Sequence, residues 1–172
     1  YQYYAASRIA NIVSKVDWTK HNQRGGYIWH TTGSGKTMSS FKSAQLIATS
    51  GDADKVIFLV DRIELGTQSI KEYQNFADNK DEVQDTSNTH VLMSKLKSNE
   101  SKDTLIVTSI QKMSNIKAEP GVNEKDIEQI GAKRLVFIVD ECHRTTFGDM
   151  MIDIKQAFPD ALFFGFTGTP IL

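Results

Sequence analysis

The chain has 172 residues, 40% of them hydrophobic and 24% charged, with a formal net charge of −1 at pH 7. That is ordinary composition for a single domain able to bury about 70% of its unfolded surface. No apolar run approaches membrane-spanning length, no basic segment precedes a hydrophobic one, and the charge excludes a domain that holds nucleic acid by bulk positive potential. The single cysteine, Cys142, rules out an internal disulfide and suits a reducing compartment. The chain opens at Tyr1 without a Met and stops at Leu172, just after a motif, so both ends read as cuts in a longer protein.

Taken in chain order, Ala5, Ile9, Ile12, Val13 and Val16 recur at helical spacing and predict an amphipathic N-terminal helix. The short apolar run 26–29 follows, then Thr31-Thr32-Gly33-Ser34-Gly35-Lys36-Thr37, then a helical pattern over residues 36–48. Strand, glycine-rich turn, Lys-Thr and helix is the grammar of a phosphate-binding loop. The backbone of Thr32, Gly33, Ser34 and Gly35 would turn successive N–H groups toward one anion. Lys36 would reach the β- and γ-phosphates of a nucleotide, and the Thr37 hydroxyl would hold Mg²⁺. His30 stands where the strict pattern has glycine. The loop alone does not separate a kinase, a GTPase, a transporter or a motor.

Four further apolar runs, 56–60, 105–107, 135–139 and 162–166, are continuous rather than alternating, as in strands buried on both faces of a parallel sheet. Helical patterns over 63–76 and 150–158 lie between them, which predicts an α/β fold with helices packed on the sheet. The polar stretches 78–88 and 117–134 read as surface excursions, each with room for a short helix. There is no internal repeat and no low-complexity tract. The residues with chemical character all follow a strand: the phosphate loop after Trp29, Asp61-Arg62 after Val60, Thr108 to Lys112 after Val107, Asp140 to Arg144 after Val139, and Thr167 to Pro170 after Phe166. In open parallel sheets that edge is the ligand edge.

A buried strand that delivers a carboxylate to a Mg²⁺ shell is the usual partner of a phosphate loop. Asp140 is the metal-side candidate, and Glu141 the group to orient and deprotonate an attacking water. Cys142-His143 does not make a zinc site, because adjacent residues cannot together supply ordinary tetrahedral ligands and no further cysteine exists. His143 reads as a coupling residue between the acidic site and a neighbouring loop, or as a histidine satisfied by nearby backbone.

Residues 31–37, Asp140-Glu141-Cys142-His143 and Phe166-Thr167-Gly168-Thr169-Pro170 resemble motifs I, II and III of superfamily 2 helicases and translocases. With Asp-Glu-Cys-His-Arg, Gly-Phe-Thr-Gly-Thr-Pro, Val60-Asp61-Arg62 and Thr108-Ser109-Ile110-Gln111-Lys112, the chain is most similar to the motor subunit of type I restriction enzymes, across residues 2–170.

That resemblance implies one RecA-like lobe over residues 1–172, a mostly parallel sheet with helices on both faces, from a larger motor with an upstream nuclease domain and a second lobe. It places the strand 162–166 between the phosphate-loop strand and the acidic strand, with Thr167 and Thr169 beside both sites as coupling hydroxyls. Gln2 resembles the glutamine that reads adenine, and equally suits an exposed polar residue; Tyr1, Tyr3 and Tyr4 suit base stacking or helix packing. Arg62, Thr108, Gln111 and Lys112 resemble backbone contacts to nucleic acid, which position without reading sequence; a solvated loop explains each one equally.

The implied cofactors are ATP and Mg²⁺. The implied partners are double-stranded DNA and the modification and specificity subunits, in bacterial or archaeal cytoplasm and with no membrane. The arginines that complete such sites belong to the second lobe, and Arg144 is a poor substitute, so this segment alone is expected to bind ATP weakly and turn it over negligibly. Other superfamily 2 DNA motors and a nucleotide-gated binding module without turnover remain as alternatives. Thr167-Gly168-Thr169 argues against box-type RNA helicases, which commonly carry Ser-Ala-Thr there, and a small-molecule kinase is the weakest contender.

Overall fold

A computed structural model describes residues 2–18, 26–29, 36–60, 89–140 and 147–167. Among them the order is α1 (Gln2–Ser14), β1 (Gly26–Trp29), α2 (Lys36–Ser50), β2 (Lys55–Val60), α3 (Thr89–Lys97), β3 (Leu105–Ser109), α4 (Ile110–Ser114), α5 (Glu124–Gly131), β4 (Leu135–Asp140), α6 (Phe147–Ala157) and β5 (Leu162–Thr167). All five expected strands form. They make one sheet in the order β1-β5-β4-β2-β3, and every pairing is parallel.

The continuous apolar runs have the expected cause. Every residue of β2 and β3 is buried, because each sheet face carries its own helical layer. Successive side chains alternate between the layers. Ile57, Leu59, Ile106, Phe137 and Val139 pack with residues of α3, α4, α5 and α6. Val56, Phe58, Val60, Val107, Val136, Ile138 and Phe164 pack with Ile9 and Val13 of α1 and with Phe41, Ala44 and Ile47 of α2. On the first face Phe137 stacks on Phe163 at 4.9 Å between ring centroids and 6° between planes; on the second, the Phe41 and Phe58 rings meet edge to face at 5.9 Å. Such pairs add about 0.5–1.5 kcal/mol beyond simple burial.

Local signals place the helix ends. α2 stops where Gly51 takes φ +80°, a left-handed conformation that favours glycine. α5 opens with a capping box: the Asn123 side chain accepts from the Asp126 N–H at 2.9 Å, and an Asp126 carboxylate oxygen accepts from the Asn123 N–H at 3.2 Å.

Three expectations change. Residues 117–134 are more than a surface excursion: α5 buries Ile127 and Ile130 in the core, since a single turn-spaced apolar pair suffices to dock a two-turn helix. α3, which the sequence reading passed over, buries Leu92, Met93 and Leu96 in the same layer. Ile12 is 42% exposed, and Val16 lies past the end of α1 yet packs against the core that Ile9 and Val13 enter. The helical pattern at 63–76 and the polar stretch at 78–88 lie outside the described residues.

The amino-terminal edge of the sheet is clasped by polar groups. The Arg134 backbone N–H donates to an Asp54 carboxylate oxygen at 2.7 Å, and the Arg134 guanidinium reaches both carboxylate oxygens at 3.3 and 3.1 Å, joining the starts of β2 and β4. Burial opposes the charge on Asp54, but the side-chain and backbone hydrogen bonds from Arg134 outweigh it and hold the carboxyl below its ordinary range. Beside it Lys55 is 1% exposed, and its Nζ donates to the Asp103 carbonyl at 2.8 Å. Burial, then the charge of Lys133, push its pKa down to about 8.

Candidate nucleotide site and nucleic-acid face

Because all five strands are parallel, their carboxyl ends share one edge. β5 lies between β1 and β4, as the resemblance implied. In register, Trp29 faces Thr167 across one side of β5, and Asp140 faces Phe166 across the other. Neighbouring strands lie about 4.8 Å apart, so Thr167 and Asp140 end adjacent strands a single residue out of step. α2, a 15-residue helix, begins at Lys36, and residues 30–35 separate it from the end of β1 at Trp29. β4 thus ends at Asp140 and β5 at Thr167 on adjacent strands, and α2 starts at Lys36 and Thr37. Thr37 and Asp140 offer hydroxyl and carboxylate oxygens, the donor class that Mg²⁺ takes, so the residues present fit such an ion.

Gln2 is the first residue of α1, the helix that packs along α2. Thr32, Gly33, Ser34, Gly35, Arg62, Glu141, His143 and Thr169 lie outside the described residues.

At the far end of the same edge, β3 passes directly into α4. Gln111 and Lys112 are half-buried on α4, and Ile110 and Met113 anchor that turn in the core. Thr108 behaves differently from the expected backbone contact. It is fully buried at 0% exposure, in register with Leu59, and its hydroxyl has no hydrogen-bond partner among the described residues. The strand alternation sends it to the inner layer with Ile106, which removes it from a surface that meets phosphate. Sequence reasoning also passed over Ser109, whose hydroxyl caps α4; serine immediately before a helical turn was the available signal. α4 packs on α6, the helix that follows the acidic segment after Asp140. Away from this edge, a shallow groove of about 360 Å³ lies against α3 and Asp103 and includes none of these residues.

A parallel sheet with the phosphate-loop strand, the Thr-Gly-Thr strand and the acidic strand side by side defines a RecA-like P-loop NTPase lobe of the helicase type. Within that class the chain belongs to the SWI2/SNF2 ATPase family, whose model matches residues 1–172. It is 47% identical over 170 residues to the endonuclease subunit of the type I restriction enzyme SauCOLORF180P of Staphylococcus aureus (strain COL), covering 99% of this chain and 17% of that protein. It is 37% identical over 163 residues to the C-terminal part of the putative type I restriction enzyme MpnIIP endonuclease subunit of Mycoplasma pneumoniae, covering 92% of this chain and 77% of that one. The chain therefore spans about a sixth of the length of the staphylococcal relative. In fold it is similar to a nuclease-deletion mutant of the Type ISP restriction-modification enzyme LlaGI, solved with a DNA substrate mimic (TM-score 0.64, 18% identity, 100% of this chain and 17% of that one). It is also similar to the UvsW helicase of bacteriophage T4 (TM-score 0.57, 14% identity, 96% and 52%).

Proposed function

We propose that residues 1–172 form the first RecA-like lobe of the motor subunit of a type I restriction endonuclease, in which ATP hydrolysis drives translocation along double-stranded DNA before cleavage. The observation that supports this reading is the parallel strand order β1-β5-β4, in which the strand ending at Thr167 lies between the strand before the glycine-rich segment and the strand ending at Asp140. The identity to type I endonuclease subunits supports the motor among nucleotide-binding lobes.

Phosphoryl transfer needs positioning and charge neutralisation more than covalent chemistry. In this reading the backbone of Thr32, Gly33, Ser34 and Gly35 and the Lys36 ammonium hold the ATP phosphates, and Gln2 meets the adenine. Thr37 and Asp140 hold Mg²⁺, which neutralises phosphate charge when bound. Glu141 orients a water against the γ-phosphorus and takes its proton as the bond to the β–γ bridging oxygen breaks and ADP leaves. Thr167, Thr169 and His143 pass the phosphate state to the nucleic-acid side. There Arg62, Gln111 and Lys112 contact the duplex backbone without reading sequence. Arginines from a second lobe complete the site. The modification and specificity subunits are the partners, in the cytoplasm of a bacterium or archaeon; no described helix is long and apolar enough to cross a membrane.

The test is ATP hydrolysis by the motor subunit that contains this lobe, with duplex DNA or RNA as activator. Lys36→Ala and Glu141→Gln each abolish duplex-stimulated turnover. Equal rates for wild type and Glu141→Gln, or equal stimulation by RNA, overturn the reading.

A further inference from the structure

β3 becomes α4 with no residue between them. Ser109 is both the last residue of the strand and the N-cap of the helix, with extended backbone at φ −79° and ψ 148°. Its Oγ accepts a hydrogen bond from the Lys112 backbone N–H at 3.1 Å. That satisfies one of the four N–H groups a helix start leaves without an internal partner. Ser109 is only 5% exposed and lies in register with Val60 of β2, so the cap is built into the sheet edge. On the other side of the turn, Ile110 and Met113 hold α4 against the core. Gln111 and Lys112 are the residues between those anchors, and the cap bonds to Lys112 itself.

The neighbouring hydroxyls therefore divide. Thr108 turns inward and is sealed in the core, whereas Ser109 spends its oxygen on the first turn of α4. Without that oxygen, the first turn of α4 loses the hydrogen bond that ties it to the strand end. A five-residue helix has too few internal hydrogen bonds to hold its own first turn.

We propose that Ser109 is a positioning residue for nucleic-acid contact: its cap fixes the first turn of α4 so that Gln111 and Lys112 meet the duplex backbone. This rests on the reading of α4 as a nucleic-acid face, and the experiment separates the two. The motor subunit is titrated with a non-specific DNA duplex by fluorescence anisotropy between about 50 and 200 mM salt. Lys112→Ala is expected to weaken binding roughly 3- to 10-fold and to lower the salt slope by about 1. Ser109→Ala is expected to follow it in both respects. Ser109→Asn, which keeps a capping oxygen, restores wild-type affinity and slope. The Ser109→Ala, Lys112→Ala double variant binds no more weakly than the Gln111→Ala, Lys112→Ala double variant, because the cap acts through those two contacts.

If Ser109→Ala lowers the melting temperature but keeps wild-type affinity and slope while Lys112→Ala loses them, the cap is purely structural and the proposal falls, with the nucleic-acid face intact. If Lys112→Ala and Gln111→Ala both bind as wild type, the face is wrong and the proposal falls with it. Should Ser109→Ala fold poorly, the comparison is read on Ser109→Gly, which lacks the oxygen but tolerates the N-cap conformation.

Discussion

Asp140, the last residue of β4, lies in register with Phe166 of β5, one residue before the terminal Thr167. The same Thr167 is in register with Trp29, the last residue of the phosphate-loop strand. β5 therefore spans the gap between the two halves of the proposed nucleotide site. Thr167→Val in the motor subunit is expected to cut duplex-stimulated ATP turnover by about tenfold, roughly 1.4 kcal/mol in the barrier, and to leave nucleotide affinity within about threefold. Steady-state ATPase rates beside a fluorescent-nucleotide titration measure the two effects separately.

In the reading proposed above, residues 1–172 supply one wall of the nucleotide site. An arginine supplied from outside such a site is worth about 10³–10⁵ in rate. The isolated chain is expected to bind ATP weakly and to hydrolyse it at a negligible rate. Turnover equal to that of the complete motor, and lost in Lys36→Ala, would show the site to be complete within these residues.

Phe137 sits at the middle of the sheet, fully buried, stacked on Phe163 and 5.9 Å from the Phe158 ring centroid. Phe137→Ala removes a large side chain from a layer closed by helices and should cost about 3–5 kcal/mol. A lower urea midpoint with an unchanged m-value is the expected result; a loss under 1 kcal/mol would mean the site collapses around the smaller side chain.

Lys55 gives the fold a definite pH signature. Its native pKa is about 8, below the ordinary lysine value of 10.5, chiefly because it is buried. Between those two values the unfolded chain holds a proton that the native chain has released, so stability rises with pH across that window and is level on either side. Lys55→Met removes this contribution. The stability of wild type relative to Lys55→Met should therefore increase from pH 7.5 to pH 10, as read from paired urea titrations. A difference that stays constant with pH would show that Lys55 keeps its ordinary proton affinity in the folded state.

Much of the architecture was readable before any coordinates. The five strands were legible because a segment buried on both faces must be apolar throughout, and runs such as Leu135–Asp140 satisfy that without reference to their neighbours. Lys36, Asp140 and Thr167 stood out as candidates because phosphate and Mg²⁺ chemistry restricts the residue types that follow each strand, and the resemblance anticipated the placement of β5.

The tertiary structure decided what depends on neighbours distant in the chain. Thr108 and Ser109 are both small hydroxyl residues at a strand end; only the alternation of β3 against two helical layers sends the first inward and leaves the second to cap α4. Lys55 reads as a solvated lysine until the starts of β2, β3 and β4 close over it and the Asp103 carbonyl accepts its hydrogen bond. α3 and α5 carry too few apolar residues to announce their docking, because two or three buried side chains suffice once the rest of the layer exists. Local chemistry is written in single residues and their spacing. Burial and orientation come from packing partners dozens of residues away, which no local pattern contains.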